Sequence, residues 1–234
     1  MKRNMEKQTF EPNETAVPEG TTYQLFPTPV KLFELEEAQM NAELAAFFNN
    51  HEHFSRSDQA QMSDVTTLME HAPQVPALYR LEGLFLGGLK RYCREIGWQG
   101  EFDLAMQMFP NVAPQGHYVP SHNHVSHISA VYYVPTRPSD RPLLVSDESV
   151  QDYWRPDEGA LILHDPRFNA SLQGGWQYHA KVFPRPGLML FFPSFLWHEV
   201  TPHGAPEPRL SVAANFSLAY RDIPAYERHK LFSC

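Results

Sequence analysis

The stretch GLMLFFPSFLWHEVTPHGAPEPRLSVAANFSLA, residues 187–219, decides how the second half of this chain folds. It holds three runs of strand length: GLMLFF (187–192), WHEVTP (197–202) and RLSVAANFSLA (209–219). Prolines at 193, 202, 206 and 208 punctuate them. Proline lacks the N–H that helices and inner strands need, so it gathers at strand ends and turns. Upstream the texture is the same. FDLAMQMF (102–109), HISAVYYV (127–134), PLLVS (142–146), GALILH (159–164) and YHAKVF (178–183) are strand-like runs between turn residues. Eight candidate strands result, nine if HYVPSHNH (117–124) pairs as well. Many short strands with turn signals between them point to a sandwich, jelly roll or barrel. The proline distribution agrees: 14 of the 21 lie from Pro110 to Pro208, and only Pro73 and Pro76 fall between residues 31 and 99.

The proline-poor first half is free to form helices. Residues 32–50 are rich in Leu, Glu and Ala and predict one. Residues 55–75 are polar and read as a loop or a short helix. Pro76 is placed to open the next helix, whose Leu78, Leu81, Phe85, Leu89, Tyr92 and Ile96 step by three or four and so form one apolar face. Gly97 is a plausible stop. YQLFPTPV (23–30) reads as a short strand, and residues 1–22 as a flexible lead-in. Helices followed by strands make the chain α+β, mainly β, with helices covering one sheet face.

Composition bounds the function. The chain has 234 residues, 42% hydrophobic, 20% charged and 13% aromatic, which is globular and suited to one large domain. Its net charge of −8 argues against nucleic-acid binding through phosphate attraction. Two cysteines without paired spacing, Cys93 and Cys234, give neither a disulfide framework nor a zinc ribbon. The polar N-terminus shows no secretory h-region, and no run reaches the length of a membrane span. The default expectation is a cytoplasmic protein with no membrane partner.

Four of the 12 histidines lie within residues 117–127: His117, His122, His124 and His127. Residues i and i+2 of a strand share a face, so His122 and His124 are expected to project together. Imidazole suits iron, zinc, copper and nickel. His198, opening the strand HEVTP, is the best candidate for a third ligand. Arg209 and Ser211 share a strand face by the same parity. A guanidinium fork there is suited to a carboxylate, with the serine hydroxyl as a further donor. His117 and His127 read as supporting histidines, and so do His164, His179 and His203. Trp154, Trp176 and Trp197 read as core or rim aromatics. Arg167, after Asp165-Pro166, is either part of a turn or a substrate contact.

Gly116-x-Tyr118-x-x-x-His122-x-His124, AVYYV (130–134), PRPGLMLFFPS (184–194), HEVTP (198–202) and RLS (209–211) follow one another in an order that resembles the Fe(II)/2-oxoglutarate-dependent oxygenases. The prolyl-hydroxylase-like branch is the nearest in style, and within it a group of bacterial and phage proteins with His-x-His. The resemblance covers residues 102–219. It implies a double-stranded β-helix, or jelly roll, with N-terminal support helices: a single domain over 23–234, helical over 31–100 and jelly roll over 102–219. It implies Fe(II) as metal and 2-oxoglutarate as cosubstrate. His122 and His198 take the ligand positions, Arg209 and Ser211 bind the distal carboxylate of 2-oxoglutarate, and Tyr133 supports it. Tyr132 should point the other way. No catalytic side chain beyond the metal ligands is read. The reaction implied is hydroxylation of a small molecule or protein side chain, with 2-oxoglutarate and O2 going to succinate and CO2. A homodimer is compatible with this reading.

One position departs from the family. The usual facial triad is two histidines and a carboxylate, whereas His124 stands in the carboxylate position. His124 ligates and gives a three-histidine site, which is the favoured reading; or a water or another carboxylate, such as Asp165, completes the shell; or the site has lost its chemistry. Glu199 fits poorly, because it alternates with His198. Two rival functions remain. A cupin-like metal enzyme independent of 2-oxoglutarate matches Gly116 and His122-x-His124, but Ile128 and Ser129 stand where its glutamate belongs and Arg209 has no role. A non-catalytic jelly-roll binding module would keep the fold and ignore the metal. The substrate-facing loops are expected within 135–158 and 165–178.

Overall fold

A computed structural model of the chain describes residues 28–50, 68–98, 102–134, 144–145, 159–167 and 179–220. The expected lead-in (1–22), most of the 23–30 strand, most of the substrate-facing loops, Trp154 and Trp176 lie outside these residues. Two five-stranded antiparallel sheets carry the fold. The first has the order β1 (Lys31–Glu34), β8 (Leu188–Pro193), β4 (Ile128–Tyr133), β10 (Arg209–Tyr220), β2 (Phe102–Ala113). The second runs β3 (Val119–His122), β9 (His198–Val200), β6 (Leu161–His164), β7 (His179–Val182), β5 (Leu144–Val145). Every sequence-derived strand after residue 100 is present, and HYVPSHNH does pair. The fold is the expected jelly roll, mainly β with two described helices.

Two boundaries differ from the sequence reading. The helix placed at 32–50 begins only at Ala38; α1 spans Ala38–Asn50. Residues 31–34 instead add strand β1 to the sheet edge, Leu32 pairing with Leu190 and Phe33 with Met189. The tertiary pairing overrides the local propensity of KLFE. Strand β2 also runs past Pro110 to Ala113. It lies at the other edge of the sheet, where a missing N–H removes no ladder bond. The 55–75 segment yields a short 3₁₀ turn (Leu68–His71), and α2 spans Ala77–Glu95 after Pro76, as expected. Gly97 ends it in the left-handed region, φ 83°.

The two faces of the first sheet bury different things. Leu81, Phe85 and Leu89 of α2 and Leu44 and Phe48 of α1 pack on Tyr132, Phe191, Val212 and Phe216. The approach is close: a Cβ on Gly88 would lie 2.5 Å from the Phe191 ring. On the opposite face, Tyr133, Leu190 and Phe192 meet Leu161, Leu163 and Val182 of the second sheet. Neighbouring residues on one strand therefore enter different cores, as period-two alternation requires. No helix among the described residues is long and apolar enough to cross a membrane.

Candidate metal and cosubstrate site

His122, His124 and His198 converge inside one end of the jelly roll. One ring nitrogen from each lies within 4.8 Å of the others. The ring centroids are 4.3 Å apart for His122–His198, 4.9 Å for His122–His124 and 5.1 Å for His124–His198. His122 and His198 face each other because β3 and β9 pair them in register. His124 arrives differently from the expectation. Strand β3 ends at His122, so same-face parity does not apply; His124 stands on the turn that follows.

Two of the rings are locked for coordination. Nδ1 of His122 donates to the Pro120 carbonyl and Nδ1 of His198 to the Leu196 carbonyl, each at 2.8 Å. A carbonyl only accepts, so both protons sit on Nδ1 and both Nε2 lone pairs are free. Burial and the neighbouring imidazoles hold His124 and His198 down to about 4, hence neutral near pH 7. Neutral imidazoles with a fixed tautomer are what a divalent transition metal takes. The donor set therefore fits Fe(II). Among the described residues no carboxylate joins the cluster. Asp165 forms a two-pronged pair with Arg167, which holds its carboxyl below the usual range. Glu199 lies 3.8 Å from His164, away from the triad.

The other residues singled out by the sequence gather along the same interior. Arg209 and Ser211 alternate with the helix-facing Leu210 and Val212, and Ser211 lies opposite Tyr133 in register. Arg209 is 6% exposed, yet no carboxylate among the described residues pairs with it. Burial lowers its pKa, partly offset by Tyr133. The Tyr133 phenol is fully buried and pushed up to about 12, mainly by burial. Gly159, at φ 75°, makes room for the arginine stem: a Cβ there would lie 2.9 Å from Arg209 Cδ. Tyr132 turns away, as expected, and donates to Asn41 Oδ1 at 2.6 Å.

The bland readings of the remaining histidines also hold for two of them. His203 bonds the Ala113 carbonyl, and His127 Nδ1 accepts the Leu218 N–H. His117 differs: its Nδ1 is buried without a partner, and burial and Arg209 lower its pKa. The sequence reading missed a polar group beside the triad. Ser126, Ser194 and Ser129 link through their Oγ atoms at 2.8 Å each, and Ser129 donates to Asn215 Oδ1 at 2.8 Å. Only the parity of Asn215 with Arg209 and Ser211 hinted that it faces the interior.

Residues 107–215 match the family described as "Putative 2OG-Fe(II) oxygenase". Among solved structures, a prolyl hydroxylase from Trichoplax adhaerens, in complex with a hypoxia inducible factor oxygen degradation domain peptide fragment, has a TM-score of 0.52 at 14% identity, covering 86% of each chain. A prolyl-4-hydroxylase from Pseudomonas putida has a TM-score of 0.48 at 18% identity, covering 83% of this chain and 89% of its own. HygX from Streptomyces hygroscopicus with iron bound has 0.48 at 13% identity, covering 84% of each. No curated protein matches the chain in sequence. The matched stretch, a little under half of the chain, together with the jelly-roll fold and the three converging histidines, makes the chain similar to the prolyl-hydroxylase-like 2-oxoglutarate/Fe(II) oxygenases.

Proposed function

We propose that this oxygenase hydroxylates an unactivated C–H bond of a small molecule or a protein side chain, with 2-oxoglutarate and O2 converted to succinate and CO2. His122, His124 and His198 hold Fe(II) as a three-histidine set. Arg209, Ser211 and Tyr133 receive the distal carboxylate of 2-oxoglutarate. The helices and the jelly roll act as one domain over 23–234, a boundary supported by the core that α1 and α2 share with the first sheet.

The observation that carries the reading is Arg209, buried with no carboxylate paired to it among the described residues. A guanidinium buried without a counter-ion is costly. It persists where a ligand supplies the missing charge, and a planar fork matches a carboxylate. Ser211 and Tyr133, opposite each other in register, flank the same space with hydroxyl groups that bond no partner among the described residues. The His124 and His198 imidazoles, held down to about 4, add no charge of their own near pH 7, so the Arg209 guanidinium leaves this interior attractive to an anion. Iron, when bound, supplies the redox chemistry and a template for cosubstrate and O2. The chain supplies orientation and a dry wall: Phe192 packs 5.0 Å from the His198 ring and shields it from water. A cupin-like enzyme leaves Arg209 without a partner, and a metal-free binding module leaves the two locked tautomers without a purpose.

The test is an anaerobic titration of metal-free protein with Fe(II), with and without 2-oxoglutarate, read through the visible iron-to-2-oxoglutarate charge-transfer band. The band should appear only with both, and should weaken in Arg209→Ala and His124→Ala. Iron binding without a band would move the assignment to a 2-oxoglutarate-independent enzyme. Absence of iron binding would leave the binding module.

A further inference from the structure

Among the described residues, His124 is the one member of the triad whose ring has no hydrogen bond to fix it. His122 and His198 are each held by a backbone carbonyl. His124 also lies beyond the end of β3, where no strand ladder holds its backbone. Something else must set its direction, because a ligand left free to move loses metal affinity.

Ser194 is placed to do this. It is fully buried and sits on the turn between β8 and His198. Its carbonyl accepts the His124 N–H at 3.0 Å, and its own N–H donates to the His127 carbonyl at 3.1 Å. Its Oγ bonds Ser126 Oγ at 2.8 Å. One residue therefore grips both ends and the middle of the 124–127 turn, and it does so from the turn that leads into His198. The second limb of its hydroxyl goes to Ser129 Oγ at 2.8 Å, which in turn donates to Asn215 Oδ1. The proton order follows from chemistry. The Ser129 proton is committed to the Asn215 carbonyl oxygen, so Ser129 accepts from Ser194 and Ser194 accepts from Ser126.

We propose that Ser194 is a positioning residue which, through Ser126 and the backbone of the 124–127 turn, aims His124 at the metal position and couples its loop to that of His198. The inference rests on the three-histidine reading above. It separates a metal-positioning role from simple core stability, because the two limbs of the Ser194 hydroxyl should behave differently. The Ser126 limb touches the His124 loop. The Ser129 limb does not, and cutting it leaves Ser126 still donating to Ser194 Oγ, so that bond survives.

The experiment titrates Co(II), as a spectroscopic substitute for Fe(II), into the full metal-free chain. It reads the dissociation constant, the Co(II) d–d spectrum and the Tm of the metal-free protein. Ser126→Ala and Ser194→Ala should each weaken Co(II) binding about tenfold and change the spectrum. Their combination should be no weaker than the worse single variant, since both cut one bond. Ser129→Ala should leave affinity and spectrum unchanged while lowering Tm. Should Ser194→Ala fail to fold, Ser126→Ala, at a half-buried site, decides the matter alone. Wild-type affinity and spectrum in Ser126→Ala overturn the positioning role. Equal losses in Ser126→Ala and Ser129→Ala overturn it as well and leave a stability role. His124→Ala is the control on the underlying reading: if it binds Co(II) as wild type does, the three-histidine set itself falls, whatever the serines do.

Discussion

Strand β10 has two faces with opposite characters. Toward the helices it presents Leu210, Val212, Ala214, Phe216 and Leu218, all buried and apolar. Toward the second sheet it presents Arg209, Ser211 and Asn215. Strand β4 divides the same way, with Ile128, Ala130 and Tyr132 on one side and Ser129, Val131 and Tyr133 on the other. The helix-facing side is filled like any close-packed core. The inward side keeps a guanidinium and three hydroxyl-bearing residues where apolar side chains would be more stable. The difference shows where stability is generated and where it is sacrificed to a site.

The largest expected effects come from exchanging one substitution per face. Phe191 lies at the centre of the helix-facing core, with ring contacts to Phe33 at 5.9 Å, Phe216 at 6.0 Å and Tyr92 at 6.1 Å. Phe191→Ala should cost about 3–5 kcal/mol, a large part of a typical domain's stability. The molecules that remain folded should bind Co(II) as wild type does. Arg209→Met should do the reverse. It removes an unpaired buried charge, so Tm should rise. It also removes a charge-assisted fork, so 2-oxoglutarate should bind the Fe(II)-loaded protein about 100-fold more weakly under anaerobic conditions. A fall in Tm for Arg209→Met would mean that the guanidinium has a protein partner and that the two faces are less distinct than they look.

The same contrast explains how far the sequence could be read. Period-two alternation made the strands after residue 100 legible, and with them the opposite directions of Tyr132 and Tyr133. Arg209 and Ser211 were legible because they interrupt an apolar strand at even spacing. Strand β1 was not, since nothing local distinguishes Lys31–Glu34 from the helix that follows; its conformation is set by pairing with β8. The place of His124 was reached through a wrong intermediate: it faces His122 because the chain turns after β3, not because a strand continues. The Ser126–Ser194–Ser129–Asn215 group was hidden, because its members come from three separate stretches of the chain and serine is common in turns.

A second contrast between the faces is their response to acid. Burial depresses His124 and His198 to about 4 on the inward side. The same imidazoles in the unfolded chain take up protons near pH 6.5. Between these values the unfolded state binds more protons, so stability of the metal-free protein rises with pH across the window. It is fully present above about pH 6.5 and is lost as the pH falls toward 4. On the helix-facing side the shifted groups among the described residues move the other way: burial pushes Tyr132 up to about 12 and Cys93 up to about 11. Tm of the metal-free protein should therefore drop by several degrees from pH 7 to pH 4.5. The double variant His124→Asn/His198→Asn should flatten that slope. An unchanged slope would place the acid sensitivity elsewhere, with the half-buried His117 as the next residue to substitute.

The smallest effect is also the sharpest comparison, because it uses adjacent residues of one type. Tyr132 and Tyr133 are both fully buried. Tyr132 donates to the buried Asn41 side chain, whereas the Tyr133 hydroxyl meets no acceptor among the described residues. Removing one oxygen atom from each should give opposite results. Tyr132→Phe leaves Asn41 Oδ1 without its partner and should cost about 1 kcal/mol, or roughly 2–4 °C in Tm, with 2-oxoglutarate affinity unchanged. Tyr133→Phe should leave Tm where it is and weaken 2-oxoglutarate binding about fivefold, the scale of one neutral hydrogen bond. Thermal melting and an anaerobic 2-oxoglutarate titration of the two variants suffice. If Tyr133→Phe binds 2-oxoglutarate normally, the phenol only fills space and the carboxylate is held by Arg209 and Ser211 alone. If both variants lose stability equally, the inward face of β4 is packed for stability like the outward one, and the division of labour between the faces is confined to β10.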